Sequence, residues 1–213
     1  MNKILVRHGY GDAKELLDLT RAHHEAWAST FGWNLLEDNQ KLLADHLIHW
    51  EKWRLMNTVI QGAQNGDLIA YLDADTVVVG DLSDVLPEGK DIGVTRWGGN
   101  HYSAGAIYWR VSDAVKAHVA SFVSRLGEEK FMAISELKAF KGRSYNYYSD
   151  ELAFDFNIRK SALQLEILGR KWNGRTYAED IRVVGYHGER HPMTLTLMAD
   201  LLKEIENVSG GTE

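Results

Sequence analysis

Short apolar runs alternate along the chain with longer stretches in which apolar residues recur every three or four positions. The runs are typical of buried β-strands, and the recurring spacing is typical of amphipathic helices. The runs predict strands at residues 3–6, 33–36, 67–72, 92–95, 106–111, 163–168 and 181–186. The amphipathic stretches predict helices at 12–31, 42–60, 113–126, 149–156 and 193–207, with a helical turn at 81–86 and a loop at 96–105.

Polar residues at the starts of two helices predict helix caps. Asp12 is the predicted N-cap of the first helix, with Glu15 three residues later as in a capping box, and Ser112 is a second N-cap. Strands that alternate with helices favour an α/β fold, with a mostly parallel central sheet flanked by helices. The pattern contains no linker, so we expect a single Rossmann-like domain at residues 1–208 and a disordered tail at 209–213.

The apolar run at residues 67–72 ends in two acidic residues, Asp73 and Asp75. Residues two apart on an extended backbone point to the same side, so both carboxylates can reach one cation. Carboxylate oxygens suit hard ions such as Mg²⁺ and Mn²⁺, which commonly hold phosphates. Open α/β sheets bind their ligands at the carboxyl ends of strands. The segment therefore predicts a metal–diphosphate site, and its simpler interpretation is a solvated acidic turn.

Composition and charge narrow the possible functions. The chain has 213 residues, of which 45% are hydrophobic, as is usual for a soluble globular domain. Its formal net charge of −6 argues against a generally basic nucleic-acid-binding protein. The absence of cysteine excludes disulfides and thiolate metal sites. No apolar run suits a signal peptide or reaches the ~18–20 residues of a membrane span, so we expect a cytoplasmic protein.

Several segments match, in the same order, motifs of a known group of enzymes. These motifs are a helix ending in Gly-Trp, Trp-x-Lys, Leu-Asp-Ala-Asp with a later Asp-Leu, Asn-Ser-Gly, Asp-Gln-x-x-Phe-Asn, Trp-Asn, and a closing His-x-x-Gly-x-x-Lys-Pro. The matching segments are residues 24–33, 50–52, 71–82, 103–107, 149–157, 171–173 and 186–192. The chain thus resembles GT-A-fold glycosyltransferases with a D-x-D motif, in particular the glycogenin-like and the small galactosyl- and mannosyltransferase families. It differs from their pattern at Ala104, at Glu151 in place of glutamine, and at Gly188, which directly follows His187.

The resemblance implies an enzyme that transfers a sugar from a nucleotide-diphosphate donor, most simply a UDP-sugar, with retention of anomeric configuration. A bound Mn²⁺ or Mg²⁺ would neutralise the leaving diphosphate. The acceptor, whether a glycan, a protein or a nucleic acid, stays open, as does the oligomeric state.

The metal ligands implied by the resemblance are Asp73, Asp75 and His187, and Asp73 would also contact the ribose of the donor. His187 follows an apolar run and also fits a hydrogen-bonded surface histidine. His23 and His24 are among the histidines whose helical spacing imitates a metal site. Because no third partner accompanies them, we interpret them as packing or surface residues.

The resemblance also implies contacts to the nucleotide sugar. The residues expected to bind it are Tyr10, Lys52, Asp73, Ser103 and Arg190, and those expected to act at the reacting sugar are Asp150 and Glu151. Tyr10 also fits a turn aromatic, and Lys52 and Arg190 also fit solvated charges on helix faces. Asp150 and Glu151 also fit the capping of a helix.

A second class of enzyme fits the same acidic motif. Residues 73–77 match the Asp-x-Asp-x-(Thr/Val) motif of haloacid-dehalogenase-like phosphatases, in which the first aspartate, here Asp73, is a phosphorylated nucleophile. In that class the motif stands near the start of the chain, whereas here it lies about seventy residues in. Glu179 and Asp180 are also a poor match for the later acidic pair of that class.

Two further possibilities remain open. One is a non-catalytic carbohydrate- or nucleotide-binding module, against which the intact Asp73, Asp75 and His187 argue. The other is a glycosyltransferase that acts on modified DNA bases, which requires a basic face near the metal site. The residues available for such a face are Lys138, Lys141, Arg143, Arg170, Lys171 and Arg175.

Overall fold

The structure, a computed structural model, describes residues 1–40, 51–97, 101–125, 150–174, 178, 180–186 and 191–210. The strands are β1 (Lys3–His8), β2 (Asn34–Asp38), β3 (Leu68–Asp73), β4 (Thr76–Val78), β5 (Ile92–Trp97), β6 (His101–Arg110), β7 (Leu165–Leu168) and β8 (Val183–Gly185). The helices are α1 (Asp12–Phe31), α2 (Glu51–Gly62), α3 (Asp113–Ser124), α4 (Asp150–Arg159) and α5 (His191–Gly210), with a 3-10 helix at Arg170–Trp172.

Six strands form the central sheet, in the order β2-β1-β3-β6-β5-β7. β1 pairs in parallel with β2 and β3, and β5 pairs in parallel with β7. β6 runs antiparallel to both of its neighbours, so five strands share one direction and one opposes them. The predicted α/β fold with a mostly parallel central sheet is confirmed.

Helices cover both faces of this sheet. On β3, Ile69 and Tyr71 face a core that includes Trp53 of α2, while Ala70 and Leu72 face a core that includes Trp27 of α1. Side chains of α3 and α4 belong to the first core, and α5 packs on α1 through a third cluster. A strand covered on both faces has no polar side to alternate with, which explains its continuous apolar run.

One of the two predicted helix caps is wrong. The residue before α1 is Gly11, at a φ of 59°, and Asp12 is already the first helical residue, so no side chain caps the helix. The positive φ of Gly11, which glycine adopts without strain, turns the chain from β1 into the helix one residue earlier than an Asp12 cap requires. The cap predicted for α3 is confirmed, because Oγ of Ser112 accepts a hydrogen bond from the backbone N–H of Val115 at 3.2 Å.

The predicted loop at 96–105 is partly wrong. β5 continues to Trp97 and β6 begins at His101, with Arg96 paired to Tyr102 across the ladder. The ladder between β5 and β6 shifts register between Val94 and Arg96, so residues 103–105 form an irregular stretch within β6 instead of a loop. Residues 98–100 lie outside the described part of the chain.

Three smaller differences concern short elements. β4, which was not predicted, pairs antiparallel with β8 in a separate two-stranded sheet. Residues 81–86 form a turn closed by the bond from Val85 N–H to the carbonyl of Leu82, at 3.2 Å, instead of a helical turn. α2 confirms the second half of the helix predicted at 42–60.

Within the described ranges, no helix combines the length and the apolar character that crossing a membrane requires.

Candidate active site

A cavity of about 320 Å³ lies at the carboxyl ends of β1 and β3. These strands are parallel neighbours, and their last residues, His8 and Asp73, are register partners. The residues that line the cavity are His8, Gly9, Tyr10, Ala13, Leu16, Lys52, Tyr71, Asp73, Ala74 and Asp75. This is the edge of an α/β sheet at which ligands bind, and six of the ten lining residues carry a polar or charged side chain.

The turn between β3 and β4 carries both aspartates of the predicted metal site. Asp73 is the last residue of β3, and its carbonyl accepts a hydrogen bond from Oγ1 of Thr76 at 2.7 Å. The carbonyl of Asp75 accepts a hydrogen bond from the backbone N–H of Tyr186, just after β8, at 3.0 Å. Both aspartates line the cavity, although Asp75 lies in the turn after β3 and not on an extended strand as the spacing argument assumed.

Lys52, in the first turn of α2, lies between two acidic residues. Its Nζ is 2.9 Å from Oδ2 of Asp150 and 3.4 Å from Oδ1 of Asp73, and it donates to the carbonyl of Ala104 at 3.1 Å. Burial alone would lower the pKa of Lys52, but the charges of Asp150 and Asp73 outweigh it and raise the pKa. Lys52 is only 8% exposed, so its interpretation as a solvated charge is wrong.

Tyr71 supports Asp73 from within β3. Its hydroxyl donates to Oδ1 of Asp73 at 2.8 Å, the same oxygen that lies near Lys52. Burial, and then the charge of Asp73, raises the pKa of Tyr71 well above its ordinary value. The hydroxyl therefore keeps its proton and acts as a donor.

Asp150 and Glu151 begin α4 and contact the same region. Oδ2 of Asp150 accepts a hydrogen bond from Nε1 of Trp53 at 3.2 Å in addition to its contact with Lys52. Oε1 of Glu151 accepts the backbone N–H of Ala104 at 3.3 Å. Burial raises the pKa of Glu151, and the neighbouring charge of Asp150 raises it further.

The predicted nucleotide-binding residues fall in different places. Tyr10 lines the cavity, with its ring centroid 6.0 Å from that of His8 in an edge-on arrangement. Burial, and then the charge of Glu51, raises the pKa of Tyr10. Ser103 is buried in β6, where its Oγ accepts the backbone N–H of Gly105 at 3.1 Å, and it is not one of the residues lining the cavity.

His187 and Arg190 lie outside the described residues. Of the six basic residues considered for a nucleic-acid face, only Arg170 and Lys171 belong to the described part of the chain. Nζ of Lys171 is 4.4 Å from the ring centroid of Trp172.

The described residues fit a divalent metal to a limited extent. They contain no group of three or more histidine, aspartate or glutamate side chains arranged to hold an ion. Asp73 and Asp75 nevertheless offer hard carboxylate oxygens to one cavity. Mg²⁺ and similar ions are commonly held by one or two carboxylates, with substrate phosphates and water completing the coordination. Two aspartates facing a diphosphate match that pattern.

Arg7, the next-to-last residue of β1, is a site residue that the sequence analysis missed. It is completely buried, and its Nη2 donates to the carbonyls of Ala74 and Thr76, on either side of Asp75, at 3.0 and 3.1 Å. The signal was a charged residue directly after the apolar run at residues 4–6, because a buried charge is rare unless it is paired.

Comparison of the structure with solved proteins identifies the fold. A glycosyltransferase involved in the glycosylation of the major capsid of PBCV-1 is similar, with a TM-score of 0.67 and 14% identity over 93% of this chain and 98% of the other. The galactosyltransferase LgtC, in complex with donor and acceptor sugar analogs, is similar with a TM-score of 0.55 and 11% identity over 96% and 95%. No protein-family model and no curated sequence matches the chain significantly. The two structural likenesses confirm the predicted GT-A fold.

Proposed function

We propose that this chain is a metal-dependent glycosyltransferase that takes a sugar from a nucleotide-diphosphate donor, most simply a UDP-sugar, and transfers it with retention. The observation that carries the proposal is the cavity in which Asp73, Asp75, Lys52 and Tyr10 meet at the carboxyl ends of β1 and β3. The GT-A fold supports it, because both similar structures are glycosyltransferases, one of them in complex with donor and acceptor sugar analogs.

In this proposal Asp73, Asp75 and His187 hold a Mn²⁺ or Mg²⁺ ion. The ion, when bound, supplies positive charge to the leaving diphosphate. His187 directly follows Tyr186 in the sequence, and the backbone N–H of Tyr186 donates a hydrogen bond to the carbonyl of Asp75. This closeness supports His187 as a third ligand.

The remaining residues bind and orient the donor. Tyr10 lies beside the cavity and is suited to stack on the nucleotide base. Lys52 orients Asp73 and is itself held by Asp150, so Asp150 acts as a positioning residue. Glu151 would stand at the reacting sugar. Ser103 and Arg190 stay predicted donor contacts.

The other interpretations have less support. The phosphatase alternative requires Asp73 as a nucleophile in a haloacid-dehalogenase-like protein, whereas this chain has the fold of glycosyltransferases. No described contact favours a DNA-base acceptor over a glycan or a protein, so the acceptor class stays open. A cytoplasmic location stays a prediction from the sequence.

A panel of nucleotide sugars tests the proposal. We expect one donor to release its nucleoside diphosphate in the presence of Mn²⁺, EDTA to stop the release, and added Mn²⁺ to restore it. The Asp75→Ala variant should lose turnover while keeping its unfolding midpoint. Asp84→Ala is the matched control, because Asp84 is an exposed acid outside the cavity. Full activity of Asp75→Ala would exclude the proposed metal site, and phosphate-ester hydrolysis that depends on Asp73 would favour the phosphatase.

A further inference from the structure

The turn that carries the two aspartates and the strand that follows it are held by side chains from β1 and α1. Four side chains, Arg7, His23, His24 and Trp27, make five hydrogen bonds to backbone atoms of residues 74–80. We name these four residues the turn clamp. The five bonds share one kind of target, because each ends on a backbone N–H or carbonyl. The clamp therefore fixes the path of the chain through the turn and not any one side chain of it.

Arg7 holds the part of the turn nearest to Asp75. While its Nη2 bonds to the carbonyls of Ala74 and Thr76, its Nη1 donates to Oγ1 of Thr20 at 2.7 Å and to Oε1 of Glu37 at 3.1 Å. Burial lowers the pKa of Arg7 to about 10, against the opposing charge of Glu37, so the guanidinium stays charged at neutral pH. One planar group therefore joins the turn to α1 and β2.

The two histidines hold the strand that follows the turn. Nε2 of His23 lies 2.6 Å from the carbonyl of Val78, and Nε2 of His24 accepts the backbone N–H of Val78 at 3.1 Å. Both backbone groups of one residue in β4 are thereby bonded to adjacent residues of α1. Burial, and then the charge of Arg7, lowers the pKa of His24 well below its ordinary value, so the ring is neutral and can accept.

We infer that the turn clamp positions Asp75 for metal binding, with Arg7 as its principal positioning residue. This inference rests on the proposed function. The groups that surround a metal site commonly orient its ligands, and their loss typically costs 10–100-fold in metal affinity or activity. Here the orienting bonds are made to the backbone on both sides of the ligand, so a small shift of the clamp moves Asp75 relative to Asp73.

The test compares Arg7→Lys with Arg21→Lys in a titration of Mn²⁺ in the presence of UDP, followed by electron paramagnetic resonance. Lysine keeps the charge but lacks the fork that reaches both carbonyls. Arg21 is the matched control, because it also pairs with Glu37, at 2.8 Å, but is 44% exposed and makes no described bond to the turn. We expect Arg7→Lys to weaken Mn²⁺ binding about tenfold or more and Arg21→Lys to leave it unchanged.

A milder pair of variants covers the case in which Arg7→Lys fails to fold. His23→Leu removes one bond of the clamp, because leucine has no donor for the carbonyl of Val78. His118→Leu is its control, because His118 is a partly buried helix histidine that packs beside Trp109. We expect His23→Leu, but not His118→Leu, to weaken Mn²⁺ binding and to speed backbone hydrogen exchange in the peptide covering residues 74–80. Exchange is measured without metal, so it reports on the turn itself.

The outcomes separate the inference from the function on which it rests. Wild-type protein that binds Mn²⁺ and UDP, together with Arg7→Lys or His23→Leu variants that bind them equally well, would overturn the inference alone. Wild-type protein that binds no Mn²⁺ would overturn the proposed metal site and the inference with it. Weaker binding in the clamp variants and unchanged binding in both controls would support the inference.

Discussion

The two sides of the cavity are held in place by different kinds of interaction. On the turn side, residues 74–80 are bonded through their backbone to the turn clamp. On the helix side, one buried cation, Lys52, lies between Asp73 and Asp150 and joins β3, α2 and α4. Asp73 belongs to both sides, because it begins the turn and also contacts Lys52.

This difference determines how each side responds to the loss of one group. The turn side has five bonds to the backbone from four side chains, so losing any one side chain leaves at least three bonds in place. Among the described residues the helix side depends on one cation, Lys52, and its loss removes the described counter-charge of Asp150, which is 5% exposed. An unpaired buried charge is far more costly than a missing neutral hydrogen bond. We therefore expect graded effects on the turn side and an abrupt effect on the helix side.

The largest effect is expected from Lys52→Met. Removing one partner of a buried ion pair typically costs about 3–5 kcal/mol, and we expect a loss of that size in the free energy of unfolding, measured by urea denaturation. The double variant Lys52→Met/Asp150→Leu is the control, because it also removes the stranded carboxylate and should recover most of the loss. A loss of less than about 1 kcal/mol, typical of a surface pair, would show that the pair is solvated.

An intermediate effect is expected from Gly9→Ala on the turn side. A Cβ at Gly9 would lie 3.0 Å from Cβ of Ala74 and 3.0 Å from the carbonyl oxygen of Ala13. Overpacking of this kind typically costs about 1–3 kcal/mol. Because Ala74 stands between the two aspartates, we expect the variant to weaken Mn²⁺ binding as well as to lower the melting temperature.

Gly62→Ala is the control for that experiment, because a Cβ at Gly62 would have no neighbouring atom within 4 Å. It should leave both stability and Mn²⁺ binding intact. If Gly9→Ala behaved in the same way as Gly62→Ala, the close contact between the β1–α1 connection and the turn would have no part in shaping the site.

The sequence predicted the residues that face the cavity better than the contacts that hold them. Asp73 and Asp75 were recognisable because a buried strand ending in two acids two residues apart is a local pattern. The pairing of Lys52 with Asp150 was not, because the two residues are distant in sequence and meet only through the packing of α2 against α4. The neighbouring contact from Trp53 to Asp150 spans 97 positions.

The turn clamp was hidden for a related reason. β4 has three residues, and its partner β8 lies far along the chain, so no hairpin turn signals the pair. The targets of His23, His24 and Arg7 are backbone groups, which have no signature in the sequence. Interpreting the two histidines as packing residues was therefore reasonable, but it missed that their bonds fix the strand after the turn that carries Asp73 and Asp75.

The smallest effect is expected from a matched pair of tryptophans, one on each side. Trp53→Phe removes the bond from Nε1 to the carboxylate of Asp150, at 3.2 Å, and Trp27→Phe removes the bond from Nε1 to the carbonyl of Gly80, at 3.0 Å. Both side chains are buried and both changes remove the same atoms, so the cost of lost packing is similar. A bond to a charged group contributes about 1.5–3 kcal/mol and a neutral one about 0.5–1.5, so Trp53→Phe should cost about 1 kcal/mol more on urea denaturation. Equal losses in the free energy of unfolding would mean that Lys52 alone compensates the buried charge of Asp150. A larger loss for Trp27→Phe would reverse the distinction between the two sides.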